Sequence, residues 1–150
     1  MPMKRAAGAS SFQGGYVAKD LFTYSIRFQN LLSGGGTAQG QFAIDTQCDF
    51  MWQKATFWLF NSTDNEVDIG FGDILFTITE SGTGRKITNI PTPLVSVFGS
   101  ANYPFVLPTA KLFRARSSIT MTLTNNSTNI DYSNVYCNFI GTQLFLARAK

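Results

Sequence analysis

Phe22-Thr23-Tyr24-Ser25-Ile26-Arg27-Phe28-Gln29 is the stretch that decides the fold class. Large apolar side chains occupy every second position, with small or polar ones between them. A strand sends successive side chains to opposite faces, so this octet reads as a β-strand with one face turned to a core. The same period returns further along. Ile74, Phe76 and Ile78 alternate with Leu75, Thr77 and Thr79, and Ile119, Met121 and Leu123 with Thr120, Thr122 and Thr124. Val135, Cys137 and Phe139 alternate with Tyr136, Asn138 and Ile140. Turn-forming runs separate these units: Ser33-Gly34-Gly35-Gly36, Ser81-Gly82-Thr83-Gly84, and Asn125 to Asn129. Seven to nine short strands without a convincing helix predict an all-β protein, an antiparallel β-sandwich of jelly-roll or Greek-key type. No fixed-period repeat points to a propeller or solenoid.

Other stretches refine this outline. The alternation through Phe42, Ile44, Thr46, Cys48, Phe50 and Trp52 is too long for one ordinary strand, so a bend or corner is expected inside it. The phase slips near Lys54-Ala55, which predicts a β-bulge or turn. Phe57-Trp58-Leu59-Phe60 is apolar on both faces and calls for cover from a second sheet or a partner subunit. Pro91 to Pro108 holds four prolines and Gly99, and reads as a long ordered loop with one helical turn at Leu94–Phe98. That loop is also a candidate cover for the apolar strand faces. Lys86-Ile87-Thr88 reads as a short return strand, and Leu144-Phe145-Leu146 as a final strand past Gly141. Residues 1–20 lack periodicity and are glycine-containing, so they read as an extended N-terminal arm on a single domain at 21–150.

Composition narrows the function. With 150 residues the chain can bury about 70% of its unfolded surface without metal or disulfide staples. Only 14% of residues are charged, against about 25% in an average domain; 38 Thr, Ser and Asn residues supply the polarity instead. The absence of His removes Ser-His-Asp triads, Cys-His dyads and His-ligated zinc from consideration. Cys48 and Cys137 are too far apart in sequence for a zinc knuckle or a redox Cys-x-x-Cys, and their inward phases suggest buried thiols. Whether they pair is open at this point. No apolar h-region follows Met1, and no apolar run approaches membrane-spanning length. The expectation is a soluble, intracellular, non-enzymatic protein without cofactor, metal or catalytic residues.

Charge is distributed unevenly: residues 1–27 carry a net +3, 28–84 a net −6, and 85–116 a net +5. Lys4, Arg5 and Lys19 with Arg148 and Lys150 make basic ends, whereas Asp64, Glu66 and Asp68 lie in an acidic loop. One reading is heterologous assembly, the basic arm of one subunit meeting the acidic loop of the next; the other is ordinary solvated termini and loops. Those eight residues are the candidate interface. A single-strand nucleic-acid binder would lean on Lys111, Arg114 and Arg116, but the aromatics fall on core-facing phases, which favours packing over stacking. The acidic loop lacks the Gly and Glu positions of an EF-hand, leaving at most a looser oxygen-ligand site. Asp45 and Asp49, about 13 Å apart on one strand, are too distant for a glycosidase pair. Asp64, Glu66 and Asp68 fall inside the window at about 7 Å, but nothing nearby would raise one pKa. Ser81 to Lys86 lacks phosphate-loop spacing, and the N-x-Ser/Thr sequences at Asn61, Asn125 and Asn126 read as turn composition.

Four segments in order carry a resemblance: Phe42-Ala43-Ile44-Asp45 running into Asp49-Phe50-Met51-Trp52; Pro91 to Gly99 with Leu107-Pro108; Ser118 to Asn126; and Val135 to Leu144. In order and spacing the chain resembles small all-β virion proteins of tailed bacteriophages. The resemblance implies a structural homo-oligomer, either a capsid decoration (cement) protein or a collar or neck subunit at the head–tail junction. Implied partners are further copies of itself and the major capsid protein or head–tail connector proteins, in a virion assembled in the bacterial host cytoplasm, with no membrane and no specific nucleic acid. A second reading is a lectin-like, carbohydrate-binding sandwich on a virion appendage, with Trp58, Tyr103 and Tyr132 as candidate groove aromatics.

Overall fold

The computed structural model describes residues 16–62, 67–68 (backbone), 73–81, 84–100 and 103–147. Nine strands are present among them: β1 (Tyr16–Leu31), β2 (Gly36–Ala43), β3 (Cys48–Asn61), β4 (Val67–Asp68), β5 (Ile74–Glu80), β6 (Thr92–Pro93), β7 (Phe105–Phe113), β8 (Ser118–Asn125) and β9 (Tyr132–Leu146). They form two antiparallel sheets. Sheet 1 runs β1-β9-β3, with β7 and the short β4 sharing the far side of β3; sheet 2 runs β2-β8-β5-β6. The pairing is nested: β1 with β9, β2 with β8, β3 with β7, and β5 with β6. A long antiparallel ribbon folded over itself, its pairs alternating between two sheets, is a jelly roll.

The expected corner lies between Ala43 and Cys48, where the chain leaves sheet 2 and enters sheet 1. Asp45 accepts the Gln47 N–H (2.8 Å) to form this turn. Asp45 and Asp49 therefore do not share a strand face. The expected bulge is also present, as a register break between Trp52 and Lys54 against both β9 and β7. Asn30, in the left-handed region (φ 54°), resets the phase at the end of β1, so that Phe28 and Leu31 both point inward.

Further sequence expectations need correction. The segment read as an arm becomes strand from Tyr16 onward, because Tyr16–Asp20 extends the ladder with β9 to Gln143–Leu146; residues 1–15 lie outside the described residues. The strands of sheet 1 are not all short, β1, β3 and β9 having 16, 14 and 15 residues. Lys86-Ile87-Thr88 makes only an isolated bridge from Lys86 to Thr79. Gly141 does not divide β9, because its inward face is filled by the neighbouring strand, as described below.

The proline-rich segment does more than loop. Thr92–Pro93 adds to the edge of β5, a 3-10 turn follows at Leu94–Ser96, and Gly99 bridges Thr56 on the edge of β3. The segment thus crosses from one sheet to the other and sends Leu94 and Phe98 into the core, each 1% exposed. It closes one flank of the sandwich by bridging strand edges, but it does not cover the outer face of the Phe57–Phe60 run, where Trp58 stays 43% exposed. Phe105–Phe113 is strand, although it contains Pro108. Proline is tolerated there because β7 is an edge strand and residues 107–110 fall in the register break opposite Gln53.

The phenylalanine content fills the space between the sheets. Trp52 lies 4.7 Å from Phe139 and 6.0 Å from Phe113 (ring centroids), Phe139 meets Phe42 and Phe98, and Phe98 meets Phe76 edge-on at 5.4 Å. Offset and T-shaped contacts of this kind add about 0.5–1.5 kcal/mol per pair beyond burial. Gly40 lets β2 approach β1, since a Cβ there would meet Ile26 Cγ2 and come within 3.3 Å of the Phe28 ring. At one end of the core, buried Asn125 donates to the carbonyls of Leu31 (3.2 Å) and Ile130 (2.8 Å) and accepts from the Ser127 N–H and hydroxyl. Its N-x-Ser sequence is thus a core hub.

Candidate functional site: an open edge and an aromatic row

One flank of the sandwich is strapped; the other ends in β1 and β2, each paired on one side only among the described residues. β1 is the longer. Its N-terminal half leaves Val17 (69%) and Leu21 (80%) exposed. Lys19 is exposed between them and stands opposite Leu144. A hollow of about 520 Å³ on the outer face is lined by Tyr16, Lys19, Met51, Gln53, Thr142 and Leu144. A second, of about 700 Å³, lies at the end of the ladder among Val17, Thr46, Arg116 and Leu146.

Asp49 anchors this corner. It is 2% exposed, accepts the Tyr16 hydroxyl (2.9 Å) and the Ala115 N–H (2.8 Å), and lies 3.5 Å from the Arg114 guanidinium. β1, β3 and the β7–β8 turn are thereby tied at one carboxylate. Burial pushes the Tyr16 phenol above its ordinary value, and its hydrogen bond to Asp49 and the negative charge there push it the same way.

Of the eight candidate interface residues, Lys4, Arg5, Asp64, Glu66, Arg148 and Lys150 lie outside the described residues. Lys19 sits on the free edge of β1. Asp68 is placed by its backbone, opposite Leu59 on the far side of β3. Through Leu144 and Asp49, Lys19 is level with the start of β3, whereas Asp68 is level with its end. Ten residues along β3 and three strand spacings across put them about 35 Å apart. Lys19 and Asp68 therefore do not meet within one chain and occupy opposite corners of sheet 1.

The nucleic-acid candidates are not a free cationic groove. Lys111 faces Glu80 (4.0 Å), Arg114 faces Asp49, and Arg116 holds a turn at φ 70°. Of the candidate groove aromatics, Trp58 (43% exposed) and Tyr103 (83%) face solvent, but Tyr132 is fully buried. It is opposite both Leu31 and Asn61, enclosed by β1 and β3.

The sequence reading missed the neighbours of Trp58. Arg27, Tyr136 and Trp58 form one row across β1, β9 and β3 on the outer face of sheet 1. Arg27 Nε donates to Asn134 Oδ1 (2.9 Å), and its guanidinium lies 6.0 Å from the Tyr136 ring centroid. In the next row Ser25 Oγ donates to Asn138 Oδ1 (2.7 Å), and Asn138 Nδ2 donates to Thr56 Oγ1 (3.0 Å). Trp58, Tyr136 and Asn138 line a shallow hollow of about 230 Å³. The available signal was the outward phase of Arg27 and Tyr136 within their alternations.

Cys48 and Cys137 are buried free thiols. Cys48 is opposite Phe145 and Cys137 opposite Phe57 on the same two strands, about 30 Å apart at strand rise, so they form no disulfide. Burial raises both thiols above their ordinary value, with Asp45 and Asp49 adding to the effect at Cys48. Among the described residues, no helix is long and apolar enough to cross a membrane, and no group of His, Cys, Asp and Glu is placed to hold a metal. No protein-family model, curated protein or solved structure matches the chain.

Proposed function

We propose that the chain is a non-enzymatic structural subunit of a tailed-phage virion, multimerising on the capsid or at the head–tail collar through side-by-side contacts. The observation that carries the reading is the open edge of β1, sixteen residues long with Val17 and Leu21 exposed. Unpaired strand edges with apolar side chains are natural surfaces for association. Lys19 and Asp68 at opposite corners of sheet 1 suit a head-to-tail contact, in which the corner of one copy meets the opposite corner of the next. The jelly roll, a fold of viral capsid and lectin domains, agrees by analogy.

The test is the solution mass of the full-length chain by size exclusion with light scattering. A discrete multimer that Leu21→Glu converts to folded monomer supports the reading. A wild-type protein that remains monomeric at about 100 μM, a concentration at which contacts of micromolar affinity are saturated, overturns self-association through this edge.

A further inference from the structure

We infer that the Arg27–Tyr136–Trp58 row is a binding site for a pyranose that carries a carboxylate, such as a uronic acid unit of a surface polysaccharide. The three side chains come from three adjacent strands and point to solvent from one face. Arg27 and Trp58 are two strand spacings apart, about 9.5 Å, which is the reach of one sugar ring with its acidic substituent. The hollow of about 230 Å³ beside Trp58, Tyr136 and Asn138 is smaller than the roughly 300–1,000 Å³ of sites that enclose drug-sized molecules. It suits one ring lying flat rather than a buried ligand. The C–H face of a pyranose packs on the half-exposed Trp58 indole, and burying that apolar contact supplies the attraction.

The polar groups around the row are fixed before any ligand arrives. Arg27 is held through Nε by Asn134, which leaves its two Nη groups to grip a carboxylate in the bidentate geometry guanidinium favours. Asn138 is held between Ser25 and Thr56, and its carboxamide retains a second N–H for a ring hydroxyl. Such preorganisation lowers the entropy cost of binding. A single-stranded nucleic acid would need a cationic groove tracking its phosphates. Here Arg27 is the one cation among Ser25, Arg27, Thr56, Trp58, Asn134, Tyr136 and Asn138. Arg27 lies on β1, but the row faces outward from sheet 1 and does not depend on an edge contact at Val17 and Leu21.

The chain has two tryptophans, and Trp52 is 1% exposed, so ligand-induced changes in emission report on Trp58. Titrations of the full chain with glucuronate, galacturonate, glucose and a ten-nucleotide oligothymidine make the test. The expected result is a saturable change with one of the sugar acids at about millimolar Kd, about tenfold tighter than with glucose. Arg27→Gln removes that preference, and Tyr136→Ala weakens binding about tenfold, both without moving the unfolding midpoint. Should Tyr136→Ala lower the midpoint, Tyr136→Thr keeps a strand-compatible residue in its place. No saturable response to either sugar acid up to about 50 mM, more than ten times the expected Kd, overturns the inference. So does binding that survives both variants, or a response to the oligonucleotide alone.

Discussion

An Asp49→Ala variant strips the Ala115 N–H and the Tyr16 hydroxyl of their acceptor at a position only 2% exposed. The N–H is part-buried, and losing its carboxylate acceptor costs about 1–3 kcal/mol. The Tyr16 hydroxyl is half-buried and turns toward solvent, losing about 0.5–1.5 kcal/mol. Arg114 adds little, because its side chain is 75% exposed and the pair is 3.5 Å apart; exposed ion pairs contribute about 0–1 kcal/mol. The expected loss is about 2–4 kcal/mol, mostly from the hydrogen bonds. At a urea dependence of about 2 kcal/mol per molar, the midpoint falls by about 1–2 M. Equilibrium unfolding followed by far-UV circular dichroism measures it, with Arg114→Ala and the double variant completing a cycle. Arg114→Ala alone should cost less than about 1 kcal/mol. If it costs as much as Asp49→Ala, the corner is held by charge and the hydrogen-bond argument is wrong. A loss below about 0.5 kcal/mol for Asp49→Ala would show that the N–H finds another acceptor.

Four further outcomes follow from the same geometry. The raised Tyr16 phenol favours the fold while neutral, so its contribution is complete below the ordinary tyrosine range and is lost as pH rises through the folded value; Tyr16→Phe should flatten the alkaline limb of stability against pH. Asp131 behaves oppositely. The Ser33 N–H (2.7 Å) and then its hydroxyl hold the carboxyl below its usual range, so its contribution is present at neutral pH and lost on acidification through the folded value; Asp131→Asn should flatten the acid limb. Cys48 and Cys137, both buried with raised thiol values, should resist a thiol-reactive disulfide reagent in the native protein and react together in denaturant. At Gly141 an added Cβ meets the Met51 carbonyl and lies 3.1 Å from the Phe50 ring; Gly141→Ala should cost about 1–3 kcal/mol by overpacking, read as a lower thermal midpoint.

What the sequence disclosed, and what it withheld, divides along physical lines. Ile119-Thr120-Met121-Thr122-Leu123 and Ile74 to Ile78 disclose their faces because a half-buried strand must alternate, and they stand inward as read. The corner before Cys48 was expected because the alternation runs too long for one strand, and the bulge before Lys54 because the rhythm breaks there. β7 was hidden because an edge strand with a register break is released from alternation and accommodates Pro108. Tyr132 was misjudged because its surroundings come from Leu31 and Asn61, residues distant in the chain. For the same reason the Arg27–Tyr136–Trp58 row was illegible: three outward residues become neighbours only through the β1–β9–β3 register. Asp49 stands on the phase opposite the apolar residues of its stretch, and its burial follows from Ala115 and Tyr16, distant in the chain, closing over it.

The outermost ladder of the roll has a mechanical consequence. Tyr16 stands opposite Leu146, so the entry of β1 and the exit of β9 are side by side at one end of sheet 1. Tension applied between those two points pulls across the rungs and peels them one at a time, starting at the register irregularity between Tyr16 and Ala18. The same force applied along β1 from a neighbour docked on its edge loads many rungs at once. A jelly roll wired in this way yields readily to traction on its ends and stiffly to traction along its flank.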